Sequence, residues 1–368
     1  MKNNRDIRVI LKRMKKMNKS LFINTILIVA VSLFSVFSAT YQKTYGFFYR
    51  ELVWTGIGLG VYLVFSFFNY RNYAKYSKVI YLFNIVLLVS VFIFGETRLG
   101  AQRWIPLGPI NLQPSEFSKL FIVLTLSELL TNKYKNNFRG MKHIVLSGLH
   151  IVPIFLLIAK QPDLGTSLVL IFLYCILIFI HGIDWKSIFI IAGAGAAFVP
   201  VSYFFLLKDY QKQRILTFLN PEADMLGSGW NVIQSMIAVG SGGMMGKGFF
   251  QGTQSKLRFL PESHTDFIGA VFLEETGFMG GLLLLALYLA LIIQIARIGS
   301  TSSDTYGKLV CYGIASIIFF HAVVNIGMIM GVMPVTGLPL LLMSYGGSSF
   351  LFTFMMLGIV QSVKIYKD

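Results

Sequence analysis

The chain is 368 residues long, 55% hydrophobic and only 13% charged, with a mean hydropathy of +0.69. That excludes an ordinary soluble domain, where about 25% of residues are charged. The formal net charge of +16 is not gathered into basic clusters interleaved with aromatics, so nucleic acid is excluded as a partner and the charge is read as membrane topology.

Apolar runs of span length recur along the whole chain. Residues 1–20, "MKNNRDIRVILKRMKKMNKS", carry eight Lys and Arg and read as a basic cytoplasmic tail. The run that follows is too long for the h-region of a signal peptide, so it is the first span. Expected spans are 21–40, 50–68, 78–94, 116–131, 143–159, 165–181, 186–206, 264–295, 308–330 and 340–363. The expected architecture is therefore all-α: one polytopic bundle of about ten helices over 21–368, with a large outer loop at 207–263 between the seventh and eighth. With the tail inside, Arg71, Lys75, Lys135, Arg139, Lys308 and the other inner Lys and Arg fall on one side, and the C-terminal "VKIYKD" joins them. The two cysteines, Cys175 and Cys311, lie in apolar runs and form no disulfide framework.

The chemistry-bearing residues gather on the opposite, outer side. "GETRLGAQRWIPLGPINLQPSEFSK" supplies Arg98, Arg103, Trp104, Glu116 and Lys119; "KQPDLG" supplies Lys160 and Asp163; "RFLPESHTDF" supplies Glu262, His264 and Asp266. Charges just within helix ends are costly unless paired or hydrated. Glu116 and Lys119 are spaced i,i+3, so a salt bridge and a functional role are both open. Pro114–Ser115 is a helix start. Arg103 is either solvated or functional, and Trp104 equally fits an interfacial belt. Asp163 either caps the sixth helix or faces a ligand. If the eighth helix starts near Glu262, Glu262 and Asp266 share a face and His264 points away. Asp266 then lies near the positive helix end, which favours an ionised carboxylate suited to a general base. Glu274 and Glu275 follow about 12 Å deeper, from a rise of ~1.5 Å per residue.

"GSGGMMGKGFFQG" is not a phosphate-binding P-loop: Ser241 stands where the first Gly is needed and Gly248 where Ser or Thr is needed. The apolar, glycine-rich stretch 231–249 is expected to lie in the membrane interface or to re-enter, covered by protein or lining a hydrated cavity. "MSYGGSS", with Ser344, reads as close helix packing through small residues. No metal-ligand spacing stands out among the five His. On the residues alone, two classes remain: a membrane enzyme acting on an anionic lipid, and a lipid or solute transporter, whose ionisable residues would lie nearer the bilayer midplane.

Four ordered segments, "RWIPLGPINLQPSEFSKL", "KQPDLGTSLVL", "NVIQSMIAVGSGGMMGKGFFQGTQSKLRFLPESHTDFIGAVFLEETG" and "PVTGLPLLLMSYGGSSFL", closely resemble the SEDS (shape, elongation, division, sporulation) family, and within it the elongation branch, RodA, over nearly the whole chain after the tail. Gly269 stands where that family usually has a bulky residue, and Leu341–Leu342 replaces its usual Pro-Phe. The resemblance implies a peptidoglycan glycosyltransferase of the bacterial cytoplasmic membrane, with both termini cytoplasmic and the active site outside. It would join lipid II units into glycan with inversion. It places the family's essential Asp at Asp266, with Arg103 and Lys119 neutralising the leaving pyrophosphate. Glu116, Asp163, Glu262 and His264 would orient these groups, and Trp104, Lys160 and Ser344 would line the substrate site. Mg or Mn is left open as a divalent cation, and a class B penicillin-binding protein is the expected partner. A lipid II flippase and a non-catalytic scaffold for that transpeptidase are the alternatives.

Overall fold

The computed structural model describes residues 13–41, 45–98, 101–108, 110–133, 141–207, 209–224, 227–257 and 259–367. Most of the basic tail, Lys135, Arg139 and Arg258 lie outside the described residues. Among the described residues, seven helices are long and apolar enough to cross a membrane: α1 (Lys19–Thr40), α4 (Ser77–Phe94), α6 (Met141–Lys160), α7 (Leu164–His181), α12 (Ile268–Ser300), α13 (Thr305–Ile329) and α14 (Gly347–Ile365). The other three expected spans correspond to α2 (Gly46–Phe67), α5 (Pro114–Glu128) and α8 (Trp185–Val201). Arg50 and Glu51 lower the hydropathy of α2, while α5 and α8 are shorter than the rest. The short α3 (Arg71–Lys75) joins α2 to α4.

Local signals place the helix ends. Asn18 caps α1 by accepting from the Leu21 amide at 3.0 Å, and Asp304 caps α13 by accepting from Gly307 at 2.6 Å. Gly182, in the left-handed region at φ 109°, ends α7. In the bundle, α2 packs on α14, and α12 on α13 and α1. The amphiphile α5 lies inside, against α4, α7, α13 and α14. Its residues Pro114 to Ser127 are buried, apart from half-buried Phe121.

The all-α expectation missed one small feature. Between α4 and α5 the chain forms an antiparallel meander of β1 (Glu96–Arg98), β2 (Ala101–Leu107) and β3 (Ile110–Leu112), in the order β1-β2-β3. The strands are too short for alternation to register as a signal.

The 207–263 segment is largely helical, with α9 (Asp209–Leu219), a 3₁₀ turn at Pro221–Asp224, α10 (Ser228–Ser241) and α11 (Thr253–Lys256). Its glycine-rich part is only partly covered: Gly242 is buried and 246–248 are half-buried, while Gly243, Met244, Met245 and Phe249 are exposed. α12 is broken at Gly277 (φ 66°, ψ −162°), and the 243–248 strand of chain threads the break. The carbonyls freed there accept from the loop: Glu274 from the Lys247 amide and Glu275 from the Gly248 amide, both at 3.0 Å. The freed amides of Phe278 and Met279 donate to Gly243 and Met244 at 2.8 and 3.1 Å. A Cβ at Gly246 would overlap the Glu275 carbonyl oxygen. The two deep carboxylates hold the same loop. Glu274 accepts from Lys247 Nζ at 2.7 Å and from the Thr253 amide at 2.8 Å; Glu275 accepts from the Ser38 hydroxyl and the Phe250 amide. Beside the break lies an apolar cavity of about 370 Å3 between α10, α12 and α13, lined in part by Gly269, Gly277 and Gly281. The departure from a bulky residue at 269 thus opens onto this cavity.

Candidate functional site

Asp266 does not lie on a helix. Residues 261–267 are consecutive turns and α12 starts only at Ile268, with Phe267 as its cap. The expected helical face shared by Glu262 and Asp266 is therefore corrected. Glu262 takes a left-handed conformation (φ 49°), and its carbonyl accepts from the Thr265 amide at 3.1 Å, a turn that closes before any helix forms. The exposed Glu262 carboxylate accepts from Thr265 Oγ1 at 3.0 Å. The His264 ring packs against Phe47 and Tyr345, at centroid distances of 4.5 and 5.6 Å, and its carbonyl accepts from the Tyr345 amide at 3.0 Å.

The Asp266 carboxyl is half-buried at this turn. Gly337, at φ 74°, runs past it so closely that a Cβ there would lie 3.8 Å from Oδ2. The Asp266 carbonyl accepts from Asn325 Nδ2 at 2.9 Å. Burial, then the Glu262 carboxylate, push its pKa up to about 6, against the lowering effect of Arg214 on α9 and Arg103 on β2. The expectation that a helix end lowers this pKa is corrected by the same fact: the carboxyl sits in protein, beside a like charge, not in the first turn.

A second cluster lies on α5. Lys119, fully buried, donates to Glu116 Oε1 at 2.8 Å and to His321 Nε2 at 2.9 Å, and its ammonium lies 4.8 Å from the Phe352 ring centre. His321 Nδ1 bonds the Pro339 carbonyl at 2.8 Å. A carbonyl only accepts, so Nδ1 carries the hydrogen and Nε2 receives the lysine: a neutral imidazole. Glu116 and Lys119 do form the expected i,i+3 salt bridge, and it is buried.

The other named residues divide similarly. Asp163 caps α7 by accepting from the Thr166 amide at 3.2 Å, and accepts from Ser115 Oγ at 2.9 Å, so it also ties down the start of α5. Arg103 donates to the carbonyls of Gln161 (3.1 Å) and Pro162, which fixes the α6–α7 junction beneath the sheet. Trp104 is half-buried on β2, opposite Glu96. Ser344 is buried, accepting from the Leu340 amide at 2.8 Å. Lys160 is exposed at the end of α6. The fold thus brings the charges of Glu262 and Arg103 to bear on Asp266, and buries Lys119, Asp163 and Ser344, each hydrogen-bonded within the protein.

A family model described as a cell cycle protein family, FtsW/RodA/SpoVE, matches residues 15–368. The chain belongs to this family. Among its relatives, the peptidoglycan glycosyltransferase MrdB of Escherichia coli K12 is 40% identical over 335 residues, covering 90% of this chain and 89% of the relative. The stage V sporulation protein E of Bacillus subtilis is 37% identical, covering 94% and 96%. A solved structure described as "Structural coordination of polymerization and crosslinking by a peptidoglycan synthase complex" superposes with a TM-score of 0.83 at 33% identity, over 96% of this chain and 99% of that one. The rod shape determining protein RodA of Thermus thermophilus superposes at 0.71 with 28% identity, over 96% and 98%.

In this SEDS protein, four residues near the centre escaped the sequence analysis: Arg214, His321, Asn325 and Gly337. His321 and Asn325 had a signal, being polar residues four apart inside an apolar helix. Arg214 and Gly337 had none, since only folding brings α9 and the 334–340 loop to Asp266. Among the described residues no group of three or more His, Cys, Asp or Glu is placed to hold a metal ion. Asp266 and Glu262 offer two carboxylates, a set that suits Mg2+ when substrate phosphates complete its shell.

Proposed function

We propose that this protein is a peptidoglycan glycosyltransferase that polymerises lipid II into glycan at the outer face of the cytoplasmic membrane, with both termini inside. The observation that carries it is Asp266: a carboxyl raised to about 6 by burial and Glu262, with Arg214 and Arg103 acting on it from two other elements. A base of this strength is ionised at neutral pH yet still takes a proton readily. The reaction names of the relatives support the same reading.

Asp266 takes the proton of the acceptor's GlcNAc 4-hydroxyl as that oxygen bonds to C1 of the donor's MurNAc. The C1–O bond to the polyprenyl pyrophosphate breaks on the opposite face, so the configuration inverts. Arg103 and Arg214 stabilise the negative charge that develops on the leaving pyrophosphate. Lys119 is buried and paired, so its part is to hold α5 against α13. A divalent cation, held by Asp266 and Glu262 with substrate phosphate, would supply further charge neutralisation. The polyprenyl chains remain in the hydrocarbon beside the apolar helices. A class B penicillin-binding protein is the partner this reading favours, in keeping with the complex named for the similar structure.

The test is polymerisation of lipid II by the purified protein with its cognate transpeptidase, wild type against Asp266→Asn. Glycan from the wild type, and loss by at least about a hundredfold in a folded, partner-binding Asp266→Asn, is the expected result. Transport of labelled lipid II across proteoliposomes with no glycan formed would replace this reading with the flippase.

A further inference from the structure

A polar side chain inside an apolar membrane helix is costly unless it is used. α13 carries two on one face, His321 and Asn325, both fully buried. Both bond the loop before α14: His321 Nδ1 holds the Pro339 carbonyl at 2.8 Å and Asn325 Nδ2 the Leu338 carbonyl at 2.9 Å. Each also reaches a second element. His321 meets Lys119 on α5, and the other Nδ2 hydrogen of Asn325 goes to the main-chain carbonyl of Asp266 at 2.9 Å.

The Asn325 amide therefore pins two segments to each other: the turn that carries Asp266, and the loop whose Gly337 runs past the Asp266 carboxyl. Asp266 precedes its helix, so the α12 hydrogen-bond ladder does not fix it. A tether on its own carbonyl sets the position of its Cα and hence of the carboxylate. The bond comes at a cost. Asn325 Oδ1 is buried with no hydrogen-bond partner among the described residues, a penalty an apolar residue of the same size would avoid. Packing alone does not account for an amide here; its two donated bonds do.

We infer that Asn325 is a positioning residue for glycosyl transfer, holding the Asp266 turn and the 334–340 loop in the register that aims the carboxylate at the acceptor hydroxyl. This rests on the reading of Asp266 as the base. Asn325 itself touches no reacting atom.

Asn325→Leu tests it, because leucine keeps the branching and heavy-atom count of the side chain, removes both donors and abolishes the stranded acceptor. In the holo-complex with the transpeptidase, polymerisation is measured with lipid II varied, alongside the melting temperature of the complex. The expected result is kcat lower by roughly ten- to a hundredfold, KM within about twofold, and a melting temperature at or above that of Asn325→Ala. Val324→Ala, at a buried neighbour on α13, calibrates plain destabilisation and is expected to keep kcat per folded enzyme. Wild-type kcat in Asn325→Leu, or a loss carried mainly by KM, would overturn the inference. If Asn325→Leu is too unstable to purify, Asn325→Ala is judged by the same kcat and KM criteria on its folded fraction. A wild type that makes no glycan would instead remove the polymerase reading beneath it.

Discussion

A half-buried carboxyl beside another carboxylate holds its proton more tightly in the folded than in the unfolded chain, and Asp266 is such a group, raised from 3.8 to about 6. Between those two values the folded state binds more protons, so stability falls as pH rises through that window. Above about 6 both states are ionised and the folded one bears the full penalty. Asp266→Asn is therefore expected to be more stable than the wild type at pH 7.5, by up to about 3 kcal/mol, with the gain shrinking as the pH is lowered towards 4. Thermal melts at several pH values read this directly, and an Asp266→Asn protein less stable than wild type at pH 7.5 would contradict the burial argument. The same carboxyl was legible in "HTDF"; its environment was not. Glu262 lies nearby in sequence, but Arg214 and Arg103 come from α9 and β2, and no local pattern announces either neighbour.

At the scale of elements, the break in α12 is a case where two sequence features explain each other. The stretch 231–249 reads as an apolar, glycine-rich piece in the interface or re-entrant, and Glu274–Glu275 as deep carboxylates that are functional or part of a polar bundle core. Folded, the loop supplies the amides and carbonyls that the interrupted helix lacks, and the carboxylates anchor it. Irregular backbone inside a membrane is tolerated when its polar groups are so exchanged. Gly246 sits at φ 79° against the Glu275 carbonyl, so both its conformation and its lack of a side chain are required. Gly246→Ala is expected to cost about 2 kcal/mol or more and to open the 242–252 loop to protease in detergent. Unchanged melting and proteolysis would show that the loop can shift without loss. The helix caps at Asn18, Asp163 and Asp304 needed no such context, because each is satisfied within three residues.

For the whole molecule, the proposed sidedness makes a separate prediction. In a Cys175→Ala/Cys311→Ala background, Ala223→Cys lies in the segment assigned to the outer face and Ser303→Cys in an inner connection, both exposed. A membrane-impermeant maleimide is expected to label Ala223→Cys in spheroplasts, and Ser303→Cys only after the membrane is opened. The reverse order would invert the topology and place the Asp266 turn inside the cell.

The amino-acid sequence by itself determined the membrane class, most of the spans, the possible cap at Asp163 and the motif that carries Asp266. These are written in composition, in apolar runs and in spacings of three or four residues, all local properties of a chain. The tertiary structure decided what the polar residues do. Lys119 meets His321 across 202 positions and Asn325 meets Asp266 across 59. In a medium without water, the partner that satisfies a buried donor is chosen by which helices pack together. That choice paired Lys119 with Glu116 and His321, raised the pKa of Asp266, and brought Asn325 to the Asp266 turn.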